Sequence, residues 1–600
     1  MASSAPEPRN PEAVYNRRLQ ELEAAQARLK ARDDRLAYTI SGIILSGVAL
    51  VVWLIFTKTH SVYWIAVPLI LFIFFAVLHS RVIRALRDCR RAMAFYRRGL
   101  ARIGNRWMGN GQAGDRFLDS AHPYARDLDI FGKGSVFELL CSARTRAGEE
   151  TLAAWLLSPA SRQEVQARQA SINEMRDRLS FREDLAVLSE GIDAAGRPDA
   201  LTAWAEDKSF LGPSYLRVLL PMLAFLWLCG IAAWGAWGYW YIGVVLSVLN
   251  LFLSVRLKKR AAPQVAIMDS AIREARLISE VLGRIEKEPL SADKSGGLEE
   301  LLRRNGMPAS RCLLRLAKLS ESLASGRNYV IALLDNFVFW KLQYALAIEA
   351  WRRRFGAEVR GWLAALGEME ALSDLASYWY EHPDDVFPEF TTEVPCFEAQ
   401  GLAHPLMPEK TAVRNDLSLG KELRLVIISG PNMAGKSTFV RAVGVNAVLA
   451  QCGAPVRAQK LKLSPLAVAA SVCVLDSLQG GISRFYAEIT RLKLIMDMAE
   501  KPVPVLFLLD ELLSGTNSHD RRVGAEAVVR GLFQRNAIGM LTTHDLALAE
   551  IANQFGDRAV NVHFEDHLEN GELRFDYRLT PGIVQTSNAL DLMRSIGLDV

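Results

Sequence analysis

The sequence predicts a multidomain chain built from three kinds of structure. These are paired apolar helical segments, an all-α region around them, and an α/β domain of parallel-sheet type at the C-terminal end. Three observations predict it. Four charge-free apolar runs occur in two pairs. Apolar residues recur at three-to-four spacing through the helical stretches before position 385. Beyond Pro383 and Pro388, in EHPDDVFPEF, short β-type runs alternate with helices.

The 600 residues exceed one ordinary core, so two to four domains are expected. Half the residues are hydrophobic, and the mean hydropathy is +0.10. That is high for a soluble enzyme and low for a chain mostly inside a bilayer. It fits a soluble machine with a few inserted segments. The net charge of +5 is mild, and positive flanks beside membrane segments account for it without nucleic acid. The seven cysteines are scattered and lack CxxC spacing. A disulfide framework or zinc site is therefore not expected, and a reducing cytosol is. MASSAPEPRNPE carries no apolar h-region, so no cleaved signal peptide is expected.

Residues 12–35 are rich in Glu, Ala, Arg and Leu, and Leu19, Leu22 and Leu29 give them an amphipathic helical pattern. Leu36 to Phe56 and Val62 to Leu78 each approach the roughly 20 residues needed to cross a bilayer. The five residues between them allow only a hairpin. Arg32 and Arg35 precede the pair, and Arg81, Arg84, Arg87, Arg90 and Arg91 follow it. The positive-inside rule puts both ends in the cytoplasm. Val218 to Trp234 and Tyr239 to Val255 form a second pair. Aromatic residues cluster at its turn, and Arg256, Lys258, Lys259 and Arg260 close it. The bland reading of this second pair is a buried hairpin of a soluble domain.

In the C-terminal part, Leu425–Ser429 and Val505–Leu509 read as buried strands. The first runs into Gly430, Pro431, Asn432, Met433, Ala434, Gly435, Lys436, Ser437 and Thr438, which fit G-x-x-x-x-G-K-[ST] between a strand and a helix. Gly430 and Gly435 let the backbone turn its N–H groups toward phosphates, and the helix N-terminus adds positive potential. Lys436 can reach the β- and γ-phosphates, and Ser437 can bind Mg2+. The second strand ends in Asp510 and Glu511, a Walker B pattern. Asp510 is the expected metal ligand, and Glu511 the group that orients and deprotonates the attacking water. His544, after a further apolar strand, is expected to sense the γ-phosphate or hold the attacking water in place. Gly480, Gly481 and Ser483 at a helix start make a second anion-binding element, suited to a neighbour's γ-phosphate across a dimer interface. The plain alternative is a glycine turn with an N-cap serine.

GPNMAGKST, DSLQGGISRFYAEITRLK, LLDELLSGTNSHDR and LTTHD, in this order and spacing, resemble the ATPase domain of the MutS family of DNA mismatch-repair proteins. His404-Pro405, the PVRA segment at 455–458 and the tail around Ser587–Leu590 agree with it. Weaker similarity at 127–159 and 366–383 resembles the start and end of that family's helical lever domain. The resemblance implies a helical lever region feeding a dimeric ATPase, with ATP and Mg2+ held between subunits and Ser483 acting in trans. Three departures stand out. Ala434 replaces the usual glycine, Arg484 stands where many members have threonine, and Ala412 occupies the place of a base-stacking phenylalanine. No Phe-x-Glu wedge of the family type is found, so mispair reading is not expected.

The full expectation is a multidomain fold of transmembrane helical hairpins, an all-α lever or core region, and an α/β P-loop ATPase domain of ABC/MutS type. Its parts are an amphipathic helix at 1–35, hairpins at 36–80 and 213–256, helical core at 81–212 and 257–390, and the ATPase domain at 391–600. The expected protein is a multi-pass protein of the inner or cytoplasmic membrane, with the ATPase domain in the cytoplasm. It is expected to form a homodimer through that domain. DNA and an unidentified protein are candidate partners. The alternatives are an ABC-type transporter half, for which four spans are few, and a membrane scaffold.

Overall fold

In the computed structural model the described residues are 10–57, 62–190, 192, 200–207, 215–272, 274–303, 306–325, 329–393, 395–431, 433–472, 484–513, 516–569 and 572–583. The first helix, Pro11–Phe56, starts where the Asn10 side chain accepts the Ala13 N–H at 3.2 Å and Pro11 fills the first position. It runs without a break through both the charged stretch and the apolar run. At 46 residues it is a rod of about 69 Å. The sequence reading divided these parts at 35/36, but no proline or cap lies there to stop the helix. The chain returns through a 3-10 turn, Val62–Ile65, into the helix Ala66–Ile103.

A second antiparallel pair is formed by Leu216–Trp237 and Trp240–Ala271, joined at Gly238 with φ +76°. Among the described residues, these two helices and those of the first hairpin are long and apolar enough to cross a membrane. A short apolar helix, Tyr329–Val338, packs against the second pair and meets the long helix Trp340–Glu381 at a 70° bend. Phe339 at the bend has φ +55°. A break in a helix frees carbonyls that need partners. Asn250, fully buried on the facing helix, donates to the Phe337 carbonyl at 2.9 Å, and Trp227 stacks on the Phe337 ring at 5.2 Å.

Among the described residues the α/β part contributes twelve strands. In chain order they are β1 (Glu389–Phe390), β2 (Phe397–Leu402), β3 (Asn415–Leu419), β4 (Leu425–Ser429), β5 (Lys460–Leu463) and β6 (Ala467–Ser471). Then come β7 (Val505–Leu509), β8 (Ala537–Thr543), β9 (Ala559–His563), β10 (Asp566–Glu569), β11 (Glu572–Phe575) and β12 (Thr580–Pro581). The main sheet has the order β12-β9-β4-β8-β7-β6, parallel except where β12 pairs with β9. Every residue of β4, β7 and β8 is buried, as expected of central strands covered on both faces. A second, mixed sheet has the order β1-β5-β2-β3 and lies beside the first. The sequence rhythm did not announce it.

The helical and α/β parts share one apolar core and several polar ties. Ala470 N donates to the Pro123 carbonyl at 3.0 Å, Val472 N to Asp127 at 2.8 Å, and Arg441 pairs with Asp129 at 2.8 Å. At the end of the long helix, Asp385 accepts from Tyr378 at 2.6 Å and pairs with Arg457 at 3.2 Å. Glu381 in the same turn pairs with Arg102, and Tyr15 donates to it at 3.3 Å. Arg102 and Tyr15 lie on the two helices of the first hairpin. Those helices therefore end on the residues that join the long helix to the α/β part.

Candidate active site

Strand β8 lies between β4 and β7, and this order builds the site. In register, Ser429 at the end of β4 faces Thr543, and Leu509 at the end of β7 faces Leu541. The loops leaving the carboxyl ends of all three strands therefore converge on one crevice.

The loop after β4 turns on two glycines. Gly430 has φ +142°, and a Cβ there would meet the Phe564 carbonyl at 2.7 Å. Gly435, with φ +100°, opens the helix Lys436–Cys452. Met433 sits at φ +70° and is 85% exposed at the mouth, while Ala434 is buried. Lys436 is buried, and its Nζ donates to the carbonyls of Gly430 at 2.7 Å and Pro431 at 2.9 Å. Burial pulls its ammonium below the ordinary lysine range, and the nearby Glu511 and Asp510 oppose that. Ser437 and Thr438 are exposed on the first turn. Asn432, Gly481 and Ser483 lie outside the described residues, as does the 587–598 tail.

Thr542, fully buried near the end of β8, organises the acidic side. Its hydroxyl donates to Asp510 and accepts the Glu511 N–H at 3.1 Å. Glu511 adopts φ +47°, uncommon for a residue with a side chain, and it lines the cleft together with Lys436 and Ser437. His544 Nδ1 stands 3.3 Å from Glu511 Oε1. Buried Glu488, on the helix Arg484–Met498 that follows the glycine pair, accepts the Leu513 N–H and ties that helix to the loop after Glu511.

The cleft has a volume of about 500 Å3. Lys436, Ser437 and Glu511 line it together with Met407, Val413 and Tyr577. Thr411 and Val413, rather than Ala412 between them, line the cleft. The Asn415 side chain reaches across to the C-terminal segment. Its Nδ2 donates to the Tyr577 carbonyl at 2.9 Å, and its Oδ1 accepts the Leu579 N–H at 2.8 Å. This clamp sets the Tyr577 ring close against Gly435. His404 is buried at the cleft, and its Nδ1 accepts the Leu406 N–H at 3.2 Å. Burial, with Arg441 and Arg457 adding to it, pushes its pKa down to about 4, so the ring is neutral. Sequence reasoning gave no role to Thr542, Tyr577, Asn415 or Glu488. Thr542 stood inside LTTHD and could have been weighed there. Glu488 likewise stood inside DSLQGGISRFYAEITRLK, whereas Asn415 and Tyr577 carry no local pattern.

Residues 426–599 match the model of MutS domain V. This segment is a domain of the MutS type. It is 32% identical over 210 residues to "Endonuclease MutS2" of Thermus thermophilus, covering 34% of this chain and 26% of that protein. It is 32% identical over 239 residues to "DNA mismatch repair protein MutS" of Thermotoga sp. (strain RQ2), 39% and 29% of the two chains. A longer alignment reaches "DNA mismatch repair protein msh3" of Aspergillus oryzae, 29% identical over 326 residues, 52% of this chain and 28% of that one. The chain thus spans under a third of the length of these MutS relatives. Among the described residues, no group of three or more His, Cys, Asp or Glu side chains is placed to hold a metal by itself. The hydroxyl of Ser437 and the carboxylate of Asp510 are hard oxygen donors. They suit Mg2+ that arrives with nucleotide phosphates.

Proposed function

We propose that this chain is a membrane-tethered, dimeric MutS-type ATPase that hydrolyses ATP with Mg2+. The observation that carries the reading is the union of Lys436, the Thr542-linked pair Asp510 and Glu511, and His544 around one cleft. Lys436 turns from its own loop carbonyls to the β- and γ-phosphates. Ser437 and Asp510 would hold Mg2+, which would supply charge neutralisation at the phosphates. Glu511 takes a proton from the attacking water, and His544 fixes the direction of that carboxylate. Tyr577, set against Gly435, offers its ring to the base. Gly481 and Ser483 of a second copy complete the phosphate site in trans.

The membrane reading rests on the four long apolar helices and on the exposure of their large side chains, such as Leu45 at 71%, Phe56 at 84% and Val218 at 72%. Apolar surface of that extent needs a cover. The arginine-rich flanks put the ATPase domain in the cytoplasm. DNA is a candidate partner through the same basic flanks, and so is a membrane-associated protein. The deciding experiment is the ATPase rate of detergent-purified protein with and without duplex, mismatched and branched DNA at two salt concentrations. Salt-sensitive stimulation supports a DNA-processing role. Turnover indifferent to every DNA turns the role toward a membrane partner. No turnover at all refutes the enzyme.

A further inference from the structure

A second cavity, of about 360 Å3, opens where the helix Leu216–Trp237 begins, between that helix, the helix Ala309–Ser325 and the long helix Trp340–Glu381. Three arginines, one from each helix, surround it: Arg217, Arg315 and Arg354. No carboxylate lines it among the described residues. The Nε and one Nη of Arg217 are buried without a hydrogen-bond partner. Arg315 and Arg354 stand exposed at the rim. The remaining wall is largely apolar, with Pro221, Leu346 and Trp351.

Buried guanidinium N–H groups without acceptors are costly, and protein interiors normally supply a partner. Three converging cations with no internal anion point to an anion from outside, and Arg is the side chain best matched to phosphate. The apolar wall adds a second requirement, that the anion be joined to hydrocarbon. The position supplies a third. The cavity lies at the first turn of a candidate span, on the side that the basic flanks assign to the cytoplasm, where anionic headgroups lie.

We propose that this cavity binds the phosphate headgroup of an anionic phospholipid, with Arg217 inside and Arg315 and Arg354 closing over it. The proposal rests on the membrane reading above. One wall of the cavity belongs to the long helix that ends at Glu381 and Asp385. A bound lipid would therefore touch the element that meets the ATPase part.

Full-length protein in detergent is titrated with phosphatidylglycerol, phosphatidylcholine or inorganic phosphate, and bound molecules are counted by native mass spectrometry. The expected result is a preference of about tenfold or more for phosphatidylglycerol over phosphatidylcholine. Arg315→Ala/Arg354→Ala should abolish it, Arg315→Lys/Arg354→Lys should keep part of it, and the melting temperature should stay unchanged. Equal preference in wild type and the alanine variant, with normal melting, overturns the site. Tight binding of inorganic phosphate that phosphatidylglycerol cannot displace overturns the lipid as its source. Alkaline carbonate extraction of native membranes tests the tether separately. A chain released by carbonate refutes the membrane reading, whereas a retained chain without lipid preference refutes the pocket alone.

Discussion

His544 Nδ1 lies 3.3 Å from Glu511 Oε1, so the exit of one strand holds the carboxylate that the neighbouring strand presents. Two variants separate base from orienter. Glu511→Gln is expected to lower ATP turnover by about 100-fold or more while ATP still binds, the usual scale for a general base. His544→Ala is expected to lose less, because the carboxylate remains. Steady-state turnover and equilibrium binding of a fluorescent ATP analogue check both. A Glu511→Gln protein as fast as wild type would rule out Glu511 as the base.

Lys436 is bonded to its own loop while the helix behind it is fully formed. Lys436→Ala should therefore leave the fold intact and remove nucleotide binding together with hydrolysis. Isothermal titration with Mg-ATP, beside a thermal melt, reads both. Binding at wild-type affinity would contradict the phosphate role.

Asn415 and Tyr577 are 162 residues apart and joined by a side-chain clamp. Stacking on an aromatic ring is worth about 1–3 kcal/mol per base. Tyr577→Ala should accordingly raise KM for ATP by about tenfold with a smaller change in kcat. Tyr577→Phe should be near neutral. Asn415→Ala should resemble the alanine variant, because it frees the segment rather than the ring. A kcat defect without a KM change in Tyr577→Ala would place the ring elsewhere in the cycle.

The His404 pKa is pushed down to about 4 by burial, and its neutral Nδ1 accepts a backbone N–H. In the unfolded chain the ring titrates near 6.5. The unfolded state then binds more protons between these values. The stability tied to a neutral His404 is present above about 6.5 and is lost as pH falls toward 4. His404→Asn keeps an acceptor for Leu406 and cannot titrate. Its melting temperature should fall less steeply than that of wild type from pH 6.5 to 4. Parallel curves would refute the assignment.

Arg102 and Glu381 form a buried ion pair that Tyr15 completes. Removing one partner leaves a buried charge, at a cost of about 3–5 kcal/mol. Arg102→Met should lower the melting temperature sharply, and Arg102→Met/Glu381→Met should recover much of the loss. A double variant no better than the single one would show that the pair is not the coupled unit.

Much of the loop after β4 was legible because its pattern is contiguous. A strand, two glycines, a lysine and a hydroxyl must follow one another in the chain for backbone N–H groups to surround a phosphate. The apolar runs were legible for a similar reason, since length and absent charge are one-dimensional properties. Pairings across the chain were not. Nothing in the order of residues says that Thr542 ties Asp510 to Glu511, because that follows from β8 lying between β4 and β7. Nor does local pattern announce that Asn415 holds Tyr577, or that Tyr15 reaches Glu381 across 366 positions. The change of composition at 35/36 marks a change of surroundings along Pro11–Phe56, because a helix stops only where a cap or a breaker stops it. The sequence by itself determined the glycine-lysine loop between strand and helix and which segments are long and apolar. Only the tertiary structure decided which distant side chains aim, clamp and couple them, because strand order and helix packing set those distances.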